Sequence, residues 1–239
     1  MKELLEINMA KSKIAKNVVN SNLIYEEKTA VLYHTMIFLS IAEEHASANV
    51  EIENALLKFS KYLEPNKLNY MQYFSGQMLL SLVSEVELYL ASVLRIILAT
   101  YPKKICGKTF TLSEIVENSK DELIQAAVEE FITKIMYKSP AEYLDEFCKI
   151  TSINKNEIID SWSEFVEAKA RRDIGVHSGW KINDMYLRKT KAVGITVQFK
   201  ADEIICPDDK YVMNKISCCD KLVRKITMEI QSVYKESDQ

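Results

Sequence analysis

The chain has 239 residues, 48% of them hydrophobic, with only 5 Gly and 4 Pro; this allows one large domain or a domain with an added segment, and so few breakers favour long helices over a sheet-rich fold. A formal net charge of -3 excludes a generally basic nucleic-acid binder, so any affinity for a polyanion has to be local. Five cysteines (Cys106, Cys148, Cys206, Cys218, Cys219) without Cys-x-x-Cys spacing, and three histidines in all, argue against a disulfide framework or a zinc site; reduced thiols, no metal and no cofactor are expected.

Residues 1–64 read as helical, with an apolar run at Val31, Leu32, Ile37, Phe38, Leu39 and Ile41. His34 lies at helical spacing from Ala30, Val31, Ile37 and Phe38 and is expected in a core, and His45 beside Glu43 and Glu44 has no stronger claim to chemistry. Met1-Lys2-Glu3 lacks the charged-then-apolar pattern of a secretion signal, and the apolar runs at 36–42 and 79–98 are short or interrupted by Ser84, Glu85, Glu87 and Arg95. A cytoplasmic protein without membrane contact is expected. Glu64-Pro65-Asn66 is the best boundary, because proline stops a helix, and it divides the chain into an N-terminal helical segment (1–65) and a main helical domain (66–239).

From about Tyr70 to Thr100 the series Phe74, Met78, Leu82, Val86, Leu90, Val93, Ile97 predicts one long buried helix. Glu87 sits among apolar neighbours on its flank, where a carboxylate needs a partner, so it is expected to meet Arg171 or Arg172 and act as a positioning residue. Glu85 is expected to face water. Helix starts are signalled by Thr111 with Glu114, Ser139 with Pro140 and Glu142, and Asn154 with Glu157. The third of these helices carries Ile158, Ile159, Trp162, Phe165, Val166, Ala170 and Ile174, with Asp173 and His177 one turn apart on the edge of its apolar stripe. After a short helix or turn at 180–186, residues 193–199 alternate like a strand that Glu203–Cys206 would pair with, and Val212, Ile216, Cys219, Val223, Ile226 and Ile230 mark a last helix.

Most of the functional information lies in 171–186. Arg172 offers a permanent cation that can hold a phosphate, and His177 a residue type that exchanges protons near neutrality. Seven Lys or Arg residues fall between Lys169 and Lys191, against two acids, Asp173 and Asp184. On a regular helix Arg172 and His177 are about 140° apart, so both reach one phosphate only if the helix yields near Gly175 or a second chain supplies the partner. Trp180 is expected as a core or interface anchor rather than a platform for a base.

The string Arg172, Asp173, His177, Ser178, Gly179, with Ile182, Asn183 and Tyr186 after it, resembles the HEPN superfamily (higher eukaryotes and prokaryotes nucleotide-binding domain). The resemblance covers roughly 66–239 and is closest to bacterial members of toxin and anti-phage systems, many of which are metal-independent endoribonucleases. It implies a mainly α, up-and-down helical bundle with a small β-hairpin after the motif helix, dimerising with its two motifs face to face. It also implies RNA as substrate and an antitoxin or defence-system partner protein. In that scheme two copies of His177 serve as base and acid, Arg172 stabilises the phosphorane and Asp173 orients a side chain of the motif. Arg171, Ser178, Lys181, Asn183, Arg188 and Lys189 are the expected RNA or phosphate contacts, with Tyr186 and Glu87 as positioning residues. The alternative is a non-catalytic RNA- or nucleotide-binding module of a two-component system.

Overall fold

Nine α-helices follow one another among the described residues, which are 2–46, 49–63, 69–105 and 108–235 of this computed structural model. They are α1 (Lys2–Ala46), α2 (Val50–Leu63), α3 (Tyr70–Thr100), α4 (Leu112–Glu117), α5 (Lys120–Met136), α6 (Pro140–Thr151), α7 (Lys155–Ser178), α8 (Asp184–Ala192) and α9 (Asp209–Val233), with a 3₁₀ turn at Pro102–Lys104. The expected boundary at Glu64-Pro65-Asn66 lies outside the described residues, as does Cys106. No described helix is long and apolar enough to cross a membrane.

Local chemistry accounts for several of these starts. Thr111 with Glu114 and Ser139 with Glu142 form reciprocal capping boxes, in which each side chain satisfies a backbone N–H of the other residue. Ser119 with Glu122 does the same for α5, a start not singled out from the sequence. At α7 the Asn154 side chain accepts from the Asn156 backbone N–H at 3.1 Å.

The described residues fall into two compact units. One comprises Met1–Ile24, Glu87–Ile159 and Val223–Gln239. Within it Leu90, Val93, Leu94, Ile97 and Leu98 of α3 and Val223, Ile226 and Ile230 of α9 are fully buried, and the Tyr89 hydroxyl bonds Thr227 at 2.7 Å. Arg95 clasps Glu129 through two parallel bonds of 2.6 and 2.8 Å. The other unit comprises Tyr25–Val86 and Asp160–Leu222 and holds all the motif residues. Its α3 portion buries Leu79, Leu82, Val83 and Val86, its α7 portion Trp162, Phe165 and Val166, and its α9 portion Val212, Ile216 and Cys219.

Three expectations need correction. His34 is exposed, with an edge contact to the Tyr33 ring. The face α1 buries runs through Ile14, Val18, Tyr25, Thr29 and Met36, which leaves Val31 and Phe38 at 65% and 69% exposure. Glu85 does not simply face water: it is half-buried and paired with Lys28 at 2.9 Å. Glu87 is half-buried as well, because α3 is apolar on most of its circumference and both flanks are covered.

The small β-hairpin is the third correction, since no strand forms among the described residues. Residues 202–205 pair with the turn after α7 instead: Ile182 N–H donates to Glu203 at 2.9 Å, Ile205 N–H to Trp180 at 2.9 Å, and Asp202 N–H to Ile182 at 3.0 Å, around an isolated bridge of Lys181 with Ile204. Residues 193–199 alternate for a different reason. Val197 packs on a buried cluster of Ala170, Ile174, Ile182, Tyr186 and Ile205, and Val193 and Ile195 are half-buried, so the alternation marks partial cover of every second side chain without a partner strand.

Candidate functional site

The motif helix α7 is continuous to Ser178 and does not yield at Gly175. It stops at two successive left-handed residues, Gly179 (φ 57) and Trp180 (φ 67), which fold the chain back so that Trp180 N–H reaches the Ile174 carbonyl at 3.1 Å. Gly175 has another purpose. A Cβ there would lie 2.5 Å from the Trp180 ring, and one on Gly76 2.7 Å from it, so both glycines make room for the indole. Trp180 is accordingly a buried anchor, 7% exposed. With the helix regular, Arg172 and His177 keep their offset of about 140°.

His177 is exposed and opens onto a cleft of about 240 Å³ that Asp173, Asn183, Met185, Tyr186 and Lys189 also line. Asp173 divides its carboxylate between two cations. One oxygen lies 3.2 Å from Arg172 Nε and the other 2.9 Å from Lys189 Nζ. Asn183 has a structural task, its carbonyl oxygen capping α8 by accepting from Tyr186 N–H at 2.9 Å. Its amide reaches Ser178 Oγ at 3.5 Å. Lys181 is exposed and pairs with Asp202 at 2.9 Å, beside the bridge. Arg188 lies in a neighbouring depression with Asp184, Leu187 and Lys191. The cleft therefore gathers His177, Asp173, Asn183 and Lys189, while Lys181 and Arg188 sit apart from it.

Arg171 belongs to a different environment. Its Nε donates to Glu167 at 2.9 Å, one turn back on α7, and its guanidinium stacks on the Tyr211 ring at 4.0 Å. Glu167, 4% exposed, also accepts from Tyr186 OH at 2.8 Å, Tyr211 OH at 2.6 Å and Lys215 at 2.7 Å. The carboxylate that Arg171 meets is thus Glu167. Burial alone would raise the Glu167 carboxyl pKa, but the charges of Arg171 and Lys215, together with the hydrogen bonds from Lys215 and Tyr211, hold it below the ordinary carboxylate range. Burial, and then the Glu167 charge, push the Tyr186 and Tyr211 hydroxyls well above the usual tyrosine range, so both act as donors.

Glu167, Tyr211, Lys215 and Glu164, which pairs with Lys215 at 2.6 Å, were not singled out from the sequence. Part of the signal was present, because Glu167 with Arg171 and Tyr211 with Lys215 are both four-residue spacings on one helix. Among the described residues no group of three or more His, Cys, Asp or Glu is placed to hold a metal. Compared with family models, curated proteins and solved structures, the chain has no match.

Proposed function

We propose that this chain is a metal-independent endoribonuclease acting through His177 and Arg172, in the manner its Arg-x4-His string suggests, and that it works in a toxin or anti-phage setting. The supporting observation is the placement of His177: an exposed imidazole in a cleft with Lys189, whose ammonium is tied through Asp173 to Arg172.

The chemistry needs proton-transfer groups and cations, and no metal. A neutral imidazole accepts the proton of the RNA 2′-hydroxyl as that oxygen bonds to phosphorus; the bond from phosphorus to the 5′-oxygen breaks, and an imidazolium protonates the departing oxygen. The products are a 2′,3′-cyclic phosphate and a free 5′-hydroxyl. Arg172 and Lys189 offset the charge that builds on the phosphorane, with Asp173 fixing their positions. One exposed histidine per motif supplies one of the two proton-transfer groups, and the regular course of α7 keeps Arg172 turned away from His177. A second copy of the chain, bringing its own His177 and Arg172, completes the set, so the active species is a homodimer. Arg171 plays no part at the phosphate in this scheme, since Glu167 and Tyr211 hold it elsewhere.

Purified protein incubated with total RNA in EDTA tests this directly. Fragments ending in 2′,3′-cyclic phosphate, made by a species of two chains in sedimentation, are the expected result. Cleavage by a clean monomer would remove the composite site; activity lost in chelator and restored by magnesium would remove the mechanism. RNA binding without any cleavage would turn the assignment to a binding module.

A further inference from the structure

The second cluster on α7 points to an activity of its own. Beside Glu167 lies a pocket of about 300 Å³, walled by α7, α8, α9 and residues 195–199. We infer that this pocket binds a small organic monoanion, a carboxylate carried on an apolar body, at a site distinct from the His177 cleft and independent of RNA cleavage.

Donor capacity left over on two nearly buried cations is the first reason. Arg171, whose side chain is 14% exposed, places Nε on Glu167 and one terminal nitrogen 3.5 Å from Tyr186 OH, and among the described residues the rest of its fork has no acceptor. Stacking on Tyr211 fixes the plane of that fork. Lys215, 6% exposed, uses two of its three hydrogens on Glu164 and Glu167. Both cations line the pocket, and a guanidinium fork matches the two oxygens of a carboxylate.

Charge selects the ligand class. Glu167 is saturated by four donors and cannot be exchanged, but Glu164 is 41% exposed and, among the described residues, is held by Lys215 alone. With Glu164 in place, two cations and two carboxylates cancel. When Glu164 swings to solvent, one positive charge remains, which a monoanion neutralises and a phosphate dianion overshoots. Ile195, Val197 and Phe199 supply apolar wall for the body of such a molecule, and the volume is at the lower end of the range of small-ligand sites.

Calorimetric titration of the full chain with benzoate and with phenyl phosphate tests the site, and it needs no RNA, so its outcome is separate from that of the nuclease assay. Saturable one-to-one binding of benzoate, and weaker binding of phenyl phosphate, is expected. Glu164→Gln removes the internal competitor and should tighten benzoate binding about two- to fivefold, the equivalent of a half-exposed ion pair. Phe199→Ala, at a residue 47% exposed, should weaken it while leaving the thermal melt unchanged. Absence of saturable benzoate binding, unaltered affinity in Glu164→Gln, or tighter binding of phenyl phosphate than of benzoate would overturn the inference.

Discussion

Ten residues separate Glu167 from His177 on one helix, yet their surroundings are opposite. Glu167 is closed off, with four donors on its two oxygens. His177 is exposed at the mouth of a cleft, near cations that Asp173 steadies but does not bury. A buried charge must be satisfied within the fold, so its partners serve stability first; an exposed histidine is held by little and is available for chemistry. The contrast separates two neighbouring arginines as well. Arg171 is bound into the closed cluster, and Arg172 lies next to the open one.

If that contrast holds, activity and stability should respond to different residues. The largest effect is expected at His177: His177→Ala should lower RNA cleavage by roughly 10²–10⁴-fold, the usual worth of a general acid or base, with no change in circular dichroism or melting temperature. Equal loss of fold and activity would show that His177 is a packing residue. Arg172→Ala should lose comparable activity.

Glu167→Gln should do the reverse. It leaves Arg171 and Lys215 without their shared counter-charge, and the cost expected in denaturant melts is about 3–5 kcal/mol. The sign with pH follows from a carboxyl held below its ordinary range in the folded protein. Its contribution is complete above the unfolded carboxylate pKa, near ~4.3, and is lost as pH falls through the lower folded value. Wild-type stability should therefore decline with acid in that window, and Glu167→Gln should show a flatter profile there.

Gly175→Ala tests whether the glycine makes room or bends the helix. A methyl group directed into the Trp180 ring should cost about 1–3 kcal/mol by overpacking; an unaffected melting temperature would contradict the close approach. Asn183→Ala should cost about 1 kcal/mol through loss of the α8 cap, a smaller change than at Glu167 and readable in the same melts. The smallest effect compares a basic residue inside the cleft with one outside it. Lys189→Ala should lower the salt dependence of RNA binding more than Lys181→Ala, whose ammonium already faces Asp202. Equal slopes would place the RNA along the whole basic stretch.

Much of the helical framework was legible in the chain before any coordinates. The capping boxes at Thr111 and Ser139, the long stripe of α3 and the series Val212 to Ile230 on α9 are contacts within three or four residues, and such contacts are written directly into spacing. His34 was misplaced because α1 carries apolar residues on more than one face, so periodicity alone did not tell which of them the fold covers. The 193–199 segment was misread because alternation records only that every second side chain is covered, and a helix cluster covers as well as a sheet does.

The site divides along the same line. Residue types and spacing singled out Arg172, Asp173 and His177 as candidates for acid–base and phosphate chemistry, and set the 140° offset that an unbroken α7 preserves. Which arginine is closed off and which lies beside the cleft was decided by the packing of α9 against α7, through Tyr211 and Lys215. Those contacts span more than forty residues of sequence, from Glu167 to Tyr211 and Lys215, and no local periodicity encodes them. They form only because burying Glu167 without its partners would leave an uncompensated charge in the core, and two helices must meet to prevent that.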